Sequence, residues 1–218
     1  MVREKTPKKK DSEKSKKGSY TAGGQGIVAP AIRARLKDKY DKEIVPALMK
    51  DLELKNKMQV PRVLKVVMNA GLGRATQNIK IIDTALNDMA AIAGQKPITT
   101  KSKMAISNFK LRAGLPIGVK VSLRGGQMWE FLDRLISLAL PRIRDFRGIS
   151  DRGFDGLGNF TMGLKDHHVF PEVDYESVDS SFGMNITIVT STQSDDEARA
   201  LIEKLGFPFR KRQAKKAA

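Results

Sequence analysis

The chain has 218 residues, 40% of them hydrophobic, which is enough for one or two domains with a true core. Its 40 Lys and Arg against 24 Asp and Glu give a net charge of +16, and it has no cysteine. Disulfides, thiolate metal sites and cysteine nucleophiles are thereby excluded, and no apolar run predicts a membrane span or a secretion signal.

Residues 1–28, with KKKDSEKSKK and GSYTAGGQGI, are low in complexity and predict a disordered basic N-terminal extension. From Pro30 to about Glu53, residues Ile32, Leu36, Tyr40, Ile44, Leu48 and Leu52 recur near every fourth position. That predicts a helix, kinked or broken near Val45 by Pro46. Residues 63–69 (VLKVVMN) read as a strand and AGLGR as a tight turn. Ile79, Ile82, Leu86, Met89 and Ile92 mark the buried face of a helix stopped at Gly94. PITTKSK is a short strand or an extended edge.

Residues 108–124, NFKLRAGLPIGVKVSLR, alternate. Phe109 and Leu111, then Ile117, Val119, Val121 and Leu123, are apolar, and polar, basic or glycine residues lie between them. With AGLP as the turn, this predicts a hairpin with an apolar underside and a basic top. GGQMWEFLDRLISLALP predicts a helix that buries Met128, Phe131, Leu132, Leu135 and Ala139 and ends at Pro141. RIRDFRGISDRGFDGLGN is a long loop rich in Gly and Arg. NFTMGLK and MNITIVTS are strands, residues 195–205 form a last helix, and residues 210–218 form a basic tail. This order predicts one α+β domain over residues 29–209: a largely antiparallel sheet with helices packed on one face, the other free to bind something.

The charge is segregated. Residues 1–20 carry eight basic and three acidic side chains, residues 21–94 twelve and seven, residues 95–152 twelve and four, residues 153–209 three and ten, and residues 210–218 five and none. A basic centre suits a polyanion such as nucleic acid or anionic lipid, and the acidic C-terminal part would face elsewhere. Signals for catalysis fail one by one. The turn at residues 69–75 lacks the third glycine of a dinucleotide fingerprint, with Thr76 in its place. His167 and His168 are the only histidines, and neighbours on a strand would point to opposite faces, away from a shared metal. Asp151 and Asp155 lie in the Arg- and Gly-rich loop, with no pocket predicted for paired carboxylates. No enzyme, metal or cofactor is expected.

The strongest signal is the polar and basic cluster of Gln95, Lys96, Thr99, Thr100, Lys101, Ser102 and Lys103, continued along the hairpin top. Phe109 and Trp129 both fall in apolar registers, so stacking of unpaired bases is not expected. Recognition of a folded RNA through shape, backbone and 2′-hydroxyls fits better. Charge alone leaves DNA open. It also leaves open a free nucleic-acid chaperone that binds through its tails.

The stretches VVMNAGLGRA, GQKPITTKSKMAISNFKLRAGLPIGVKVSLRGGQMWEFLDRLI, LPRIRDFRGIS and FDGLGNFTMG, then FPEVDY with GMNITIVT, carry a resemblance. In order, from about Arg35 to Phe209, they resemble the bacterial-type large-subunit ribosomal protein L5 family, which binds 5S ribosomal RNA. The resemblance implies an α+β protein without enzymatic activity in the central protuberance of the large subunit of cytoplasmic ribosomes. Its partners would be 5S and 23S ribosomal RNA, neighbouring large-subunit proteins, tRNA in the peptidyl site and a small-subunit head protein. By motif, Asn69, Gly71, Gln95, Lys96, Thr99 and Ser122 would contact 5S RNA, and the charge map adds Lys101 and Lys103. Lys110, Arg112, Gly114 and Pro116 of KLRAGLP would meet the tRNA elbow. Arg147, Ser150, Asp151, Arg152 and Phe154 would lie toward the small subunit. The sequence departs from the family pattern in Ala113, where Glu is usual, and in His167 and His168, which replace a Gln and an aliphatic residue.

Overall fold

The computed structural model describes residues 34–173 and 181–210. The predicted N-terminal extension, residues 29–33 where the domain and its first helix are predicted to begin, residues 211–218 of the basic tail, and residues 174–180 before the last strand lie outside them. The first helical stretch runs without interruption as α1 (Arg35–Lys39), a π-helical turn (Tyr40–Ile44) and α2 (Val45–Asp51). Proline lacks an N–H and its ring crowds the carbonyl four residues back. Widening the turn before Pro46 accommodates both defects, so the expected break becomes a local change of winding. The same device recurs later. α4 (Gly125–Arg134) passes through a π-helical turn (Leu135–Ala139) into α5 (Leu140–Arg142), so Pro141 lies inside the last turn and does not end the helix.

Five strands form one antiparallel sheet: β1 (Val63–Gly71), β2 (Ile98–Lys101), β3 (Pro116–Leu123), β4 (Phe160–Leu164) and β5 (Met184–Thr190). Their order is β2-β3-β1-β5-β4. On the inner face Val66 lies beside Leu123 and Ile188, and Met68 beside Val121 and Ile186, all buried. α3 (Lys80–Ala93) and α4 pack over this side and complete a single core that includes Ile82, Met89, Ile92, Met128, Phe131 and Leu132. α3 ends at Gly94 in a left-handed conformation, φ 64°, as its sequence predicts. Ile79 precedes the helix and is 59% exposed, so it does not belong to the buried stripe. Tyr40 joins the first helical stretch to α4. Its ring centroid is 5.2 Å from that of Trp129, its hydroxyl donates to the Pro61 carbonyl at 2.8 Å, and burial pushes its phenol up to about 12.

The predicted hairpin is displaced. Residues 108–112 are not a strand, and β3 takes β2 as its outer neighbour, with Thr99 opposite Val119 and Thr100 opposite Gly118. Between β2 and β3 the chain extends as an arm. Ser102 N–H donates to the Leu115 carbonyl at 2.8 Å, and Ile106 and Leu111 exchange backbone bonds of 2.9 and 3.0 Å. The turn is therefore Ser107–Lys110, with Lys110 at φ 53°, and AGLP belongs to the returning limb, where Gly114 adopts φ 83°. Phe109 is 71% exposed and does not lie on a buried underside.

The last helix, α6 (Asp195–Leu205), falls where the sequence puts it, with three acidic residues in its first turn complementing the helix dipole. His167 and His168 are not on a strand. They occupy a 3-10 turn (His167–Val169) with ring centroids 4.1 Å apart. His167 is fully buried, stacked on Phe182 at 3.8 Å, with Nε2 3.3 Å from Asp88 Oδ2 of α3. The approach is not a hydrogen bond: neither of those two atoms has such a partner among the described residues. Burial, then the neighbouring His168, push His167 down to about 4, and burial also raises the Asp88 carboxyl.

Candidate nucleic-acid interface

Because antiparallel partners share a face, the register brings the outward side chains of distant segments into rows. One row holds Ile98, Lys120, Asn69, Asn185 and Gly163. The next holds Ser122, Val67, Thr187 and Thr161, the two threonine hydroxyls 3.0 Å apart. Toward the arm, Thr100, Gly118 and Gly71 lie side by side. All of these but Gly118 are exposed or half-buried, and nearly all are small, polar or basic. A Cβ at Gly118 would meet the Ala70 carbonyl oxygen and Thr100 Oγ1, each at 2.8 Å, whereas one at Gly71 would meet nothing within 4 Å. Gly118 is thus needed for strand packing, and Gly71 leaves bare backbone open to an approaching molecule.

The sequence-predicted residues divide by position. Asn69, Gly71 and Ser122 lie on the outward face, and Gln95 and Lys96 are exposed in the turn after Gly94. Lys101 and Lys103 are exposed where β2 passes into the arm. Thr99 differs: opposite Val119 it shares the inner side and is half-buried, and Thr100 takes the outward position. Lys110, Arg112 and Gly114 are exposed or half-buried on the arm, and Pro116 opens β3 opposite Lys101 at a register shift. Residues 95–124 carry seven cations and no carboxylate. Lys120 and Thr100 strengthen the same surface, as do Asn185 and Thr187. The alternation in MNITIVT signals two sides, but only the pairing of β5 with β1 shows which neighbours they join.

The loop of residues 143–159 forms a separate region beside β4. Arg147, Ser150 and Arg152 are exposed, and Asp151 lies 3.8 Å from Arg199 of α6. Phe154 is half-buried, its ring centroid 4.8 Å from Phe160 and 6.2 Å from Phe209, so it anchors the loop to the core. Asp195 accepts from the N–H groups of Gly156 at 3.2 Å and Gly158 at 2.9 Å. Asp155 accepts from Asn159 Nδ2 at 2.7 Å and from the N–H groups of Leu157 and Asn159, which hold its carboxyl below the usual carboxylate range. A cavity of about 840 Å³ opens beneath this loop, bordered by Arg144, Arg147, Lys165 and Arg210. Among the described residues no group of three or more His, Asp and Glu could hold a metal ion, and no helix is long and apolar enough to cross a membrane.

A five-stranded antiparallel sheet with helices on one side, and with cations unopposed along its β2 edge, defines an α+β protein whose outward face suits a polyanion. Two family models match consecutive parts of the chain, Ribosomal protein L5 over residues 56–112 and the C-terminus of the ribosomal L5 family over residues 116–209. The chain is 59% identical to the large ribosomal subunit protein uL5 of Acidobacterium capsulatum, covering 81% of this chain and 97% of that protein. It is 56% identical to the uL5 proteins of Geotalea daltonii, covering 81% and 99%, and of Chloroflexus aggregans, covering 81% and 98%. The chain belongs to the ribosomal protein L5 family. It is a structural component of the ribosome and not an enzyme.

Proposed function

We propose that this chain is a structural constituent of the large subunit of cytoplasmic ribosomes that holds 5S ribosomal RNA against the sheet face opposite the helices. Asn69, Gly71 and Ser122 act from the face itself. Gln95, Lys96, Lys101 and Lys103 act from its β2 edge, and Thr99 supports that edge from its half-buried position. The observation that carries this reading is the conjunction of an outward face of small polar residues with seven cations and no carboxylate across residues 95–124. Cations hold phosphates in place, and amides and hydroxyls bond sugars and base edges. 23S ribosomal RNA and the neighbouring proteins of the central protuberance complete the setting.

The arm, with Lys110, Arg112, Gly114 and Pro116, reaches the elbow of tRNA in the peptidyl site. The loop with Arg147, Ser150, Asp151, Arg152 and Phe154 meets a small-subunit head protein. The ten acidic against three basic residues of segment 153–209 suit a basic partner there.

Binding of the full chain and of a variant lacking residues 1–28 to folded 5S RNA, across a salt series with tRNA and duplex DNA as competitors, tests the central claim. Each phosphate contact adds about 0.7 to 0.9 to the slope of log affinity against log salt. Tight binding that survives loss of the extension and resists both competitors is expected. Collapse without the extension, or equal competition by any polyanion, would make the chain a nucleic-acid chaperone without preference.

A further inference from the structure

The arm exposes more than charge. Met104 is 70% exposed, Phe109 71% and Ile106 39%, all within six residues of one projecting segment. Single apolar residues are common on protein surfaces, but a cluster with an aromatic ring at a turn marks a contact. The turn holds that ring in place. Phe109 N–H donates to the Ile106 carbonyl at 3.3 Å, Lys110 N–H donates to the Ser107 carbonyl at 2.9 Å, and the Ile106–Leu111 pair closes the base. A side chain presented on such a closed backbone loses less freedom on binding than one on an open loop.

Lys103, Lys110 and Arg112 flank the cluster, and the nearest carboxylates in sequence are Asp88 and Glu130. An apolar ring neither bonds nor neutralises a phosphate. What it offers a nucleic acid is its flat face, on which a base stacks. An acidic amphipathic helix would also suit an apolar patch ringed by cations. The arm grows from the edge of the polar, cationic sheet face, however, and that continuity favours RNA.

We propose that Phe109, flanked by Met104 and Ile106, stacks on an exposed base or terminal base pair of the folded RNA that the arm meets. The arm then holds that RNA by a non-ionic contact beside its ionic ones. This rests on the tRNA reading of the arm given above. The alternation in sequence argues against stacking because it assigns Phe109 to a buried face, and the exposed ring reverses that inference.

The experiment uses large subunits reconstituted with the wild-type chain, Phe109→Ala, Phe109→Trp, or Lys110→Ala with Arg112→Ala, and measures tRNA affinity at the peptidyl site across a potassium chloride series. Phe109→Ala should weaken binding about fivefold or more with the salt slope unchanged, since stacking carries no counterion release. Phe109→Trp should restore it, and the double variant should lower the slope. If Phe109→Ala binds as wild type while the double variant loses affinity, the arm acts through charge alone and the stacking proposal fails. If neither variant changes binding, the tRNA reading of the arm fails with it. If Phe109→Ala subunits bind tRNA normally but lose a protein component, the cluster docks a protein and the proposal is overturned.

Discussion

Acidification should act through one buried ring. His167 is held at about 4 in the folded chain against an ordinary value of 6.5, so the folded state takes up its proton later than the unfolded chain does. Its contribution is therefore intact above the ordinary value and is lost as pH falls toward the folded one. Between about pH 7.5 and about pH 5 the loss works out to about 2 kcal/mol. The groups that face this ring are Asp88 from α3, His168 and Asp166 from its own turn, and the backbone of Phe182. Asp88 works in the opposite sense, because a carboxyl raised by burial gains stability on protonation. Comparison with His167→Gln, which is neutral at every pH, cancels the Asp88 contribution to first order. Urea denaturation followed by the single tryptophan, Trp129, which is buried against Tyr40, gives both stabilities. The wild-type protein should lose about 2 kcal/mol relative to the variant over that range. A stability difference between the two proteins that stays constant with pH would refute the argument.

Two glycines on one row should respond oppositely. Gly118→Ala forces a Cβ to 2.8 Å from the Ala70 carbonyl oxygen, a backbone atom that cannot turn aside, and should cost about 1–3 kcal/mol in chemical denaturation. Gly71→Ala has open space and should stay within about 0.5 kcal/mol of wild type, yet weaken 5S RNA binding in a filter assay. Unchanged RNA affinity would mean that the RNA does not approach this backbone. Asp195→Ala removes the acceptor of the Gly156 and Gly158 amides and should cost about 1–3 kcal/mol. Faster hydrogen exchange at those two amides, with the β1 amides unaffected, is the local signature to look for.

Periodicity makes much of the fold readable. The stripe of Met128, Phe131, Leu132, Leu135 and Ala139, the stop at Gly94 and the whole of α6 follow from spacing and caps that act within a few residues. The arm defeats the same reasoning because its signals conflict locally. Gly and Pro in AGLP outweigh SNFK as a turn signal, yet Gly114 bends a returning limb, and the turn is made by a lysine in the left-handed region. Which neighbour β3 takes depends on β2, a four-residue strand too short to show a period. The site is legible as a set of residue types and not as a surface. Asn69, Lys120 and Asn185 become adjacent only through a register spanning more than a hundred residues, and nothing local tells Thr99 from Thr100.

The π-helical turn at Tyr40–Ile44 bears on the spacing of the residues around it. Leu36, Tyr40, Ile44 and Leu48 are all buried and stand four apart. In a uniform α-helix each step of four overshoots a turn by about 40°, and three steps would carry Leu48 about 120° away from Leu36 around the axis. A turn that takes up more than four residues winds that excess back. The strict four-residue spacing is thus the written trace of the wider turn, and Pro46 keeps the turn from tightening. A residue removed from within it would leave a uniform α-helix in which eleven steps of about 100° bring Leu48 to within about 20° of Leu36, so both halves of the apolar edge would stay on the core.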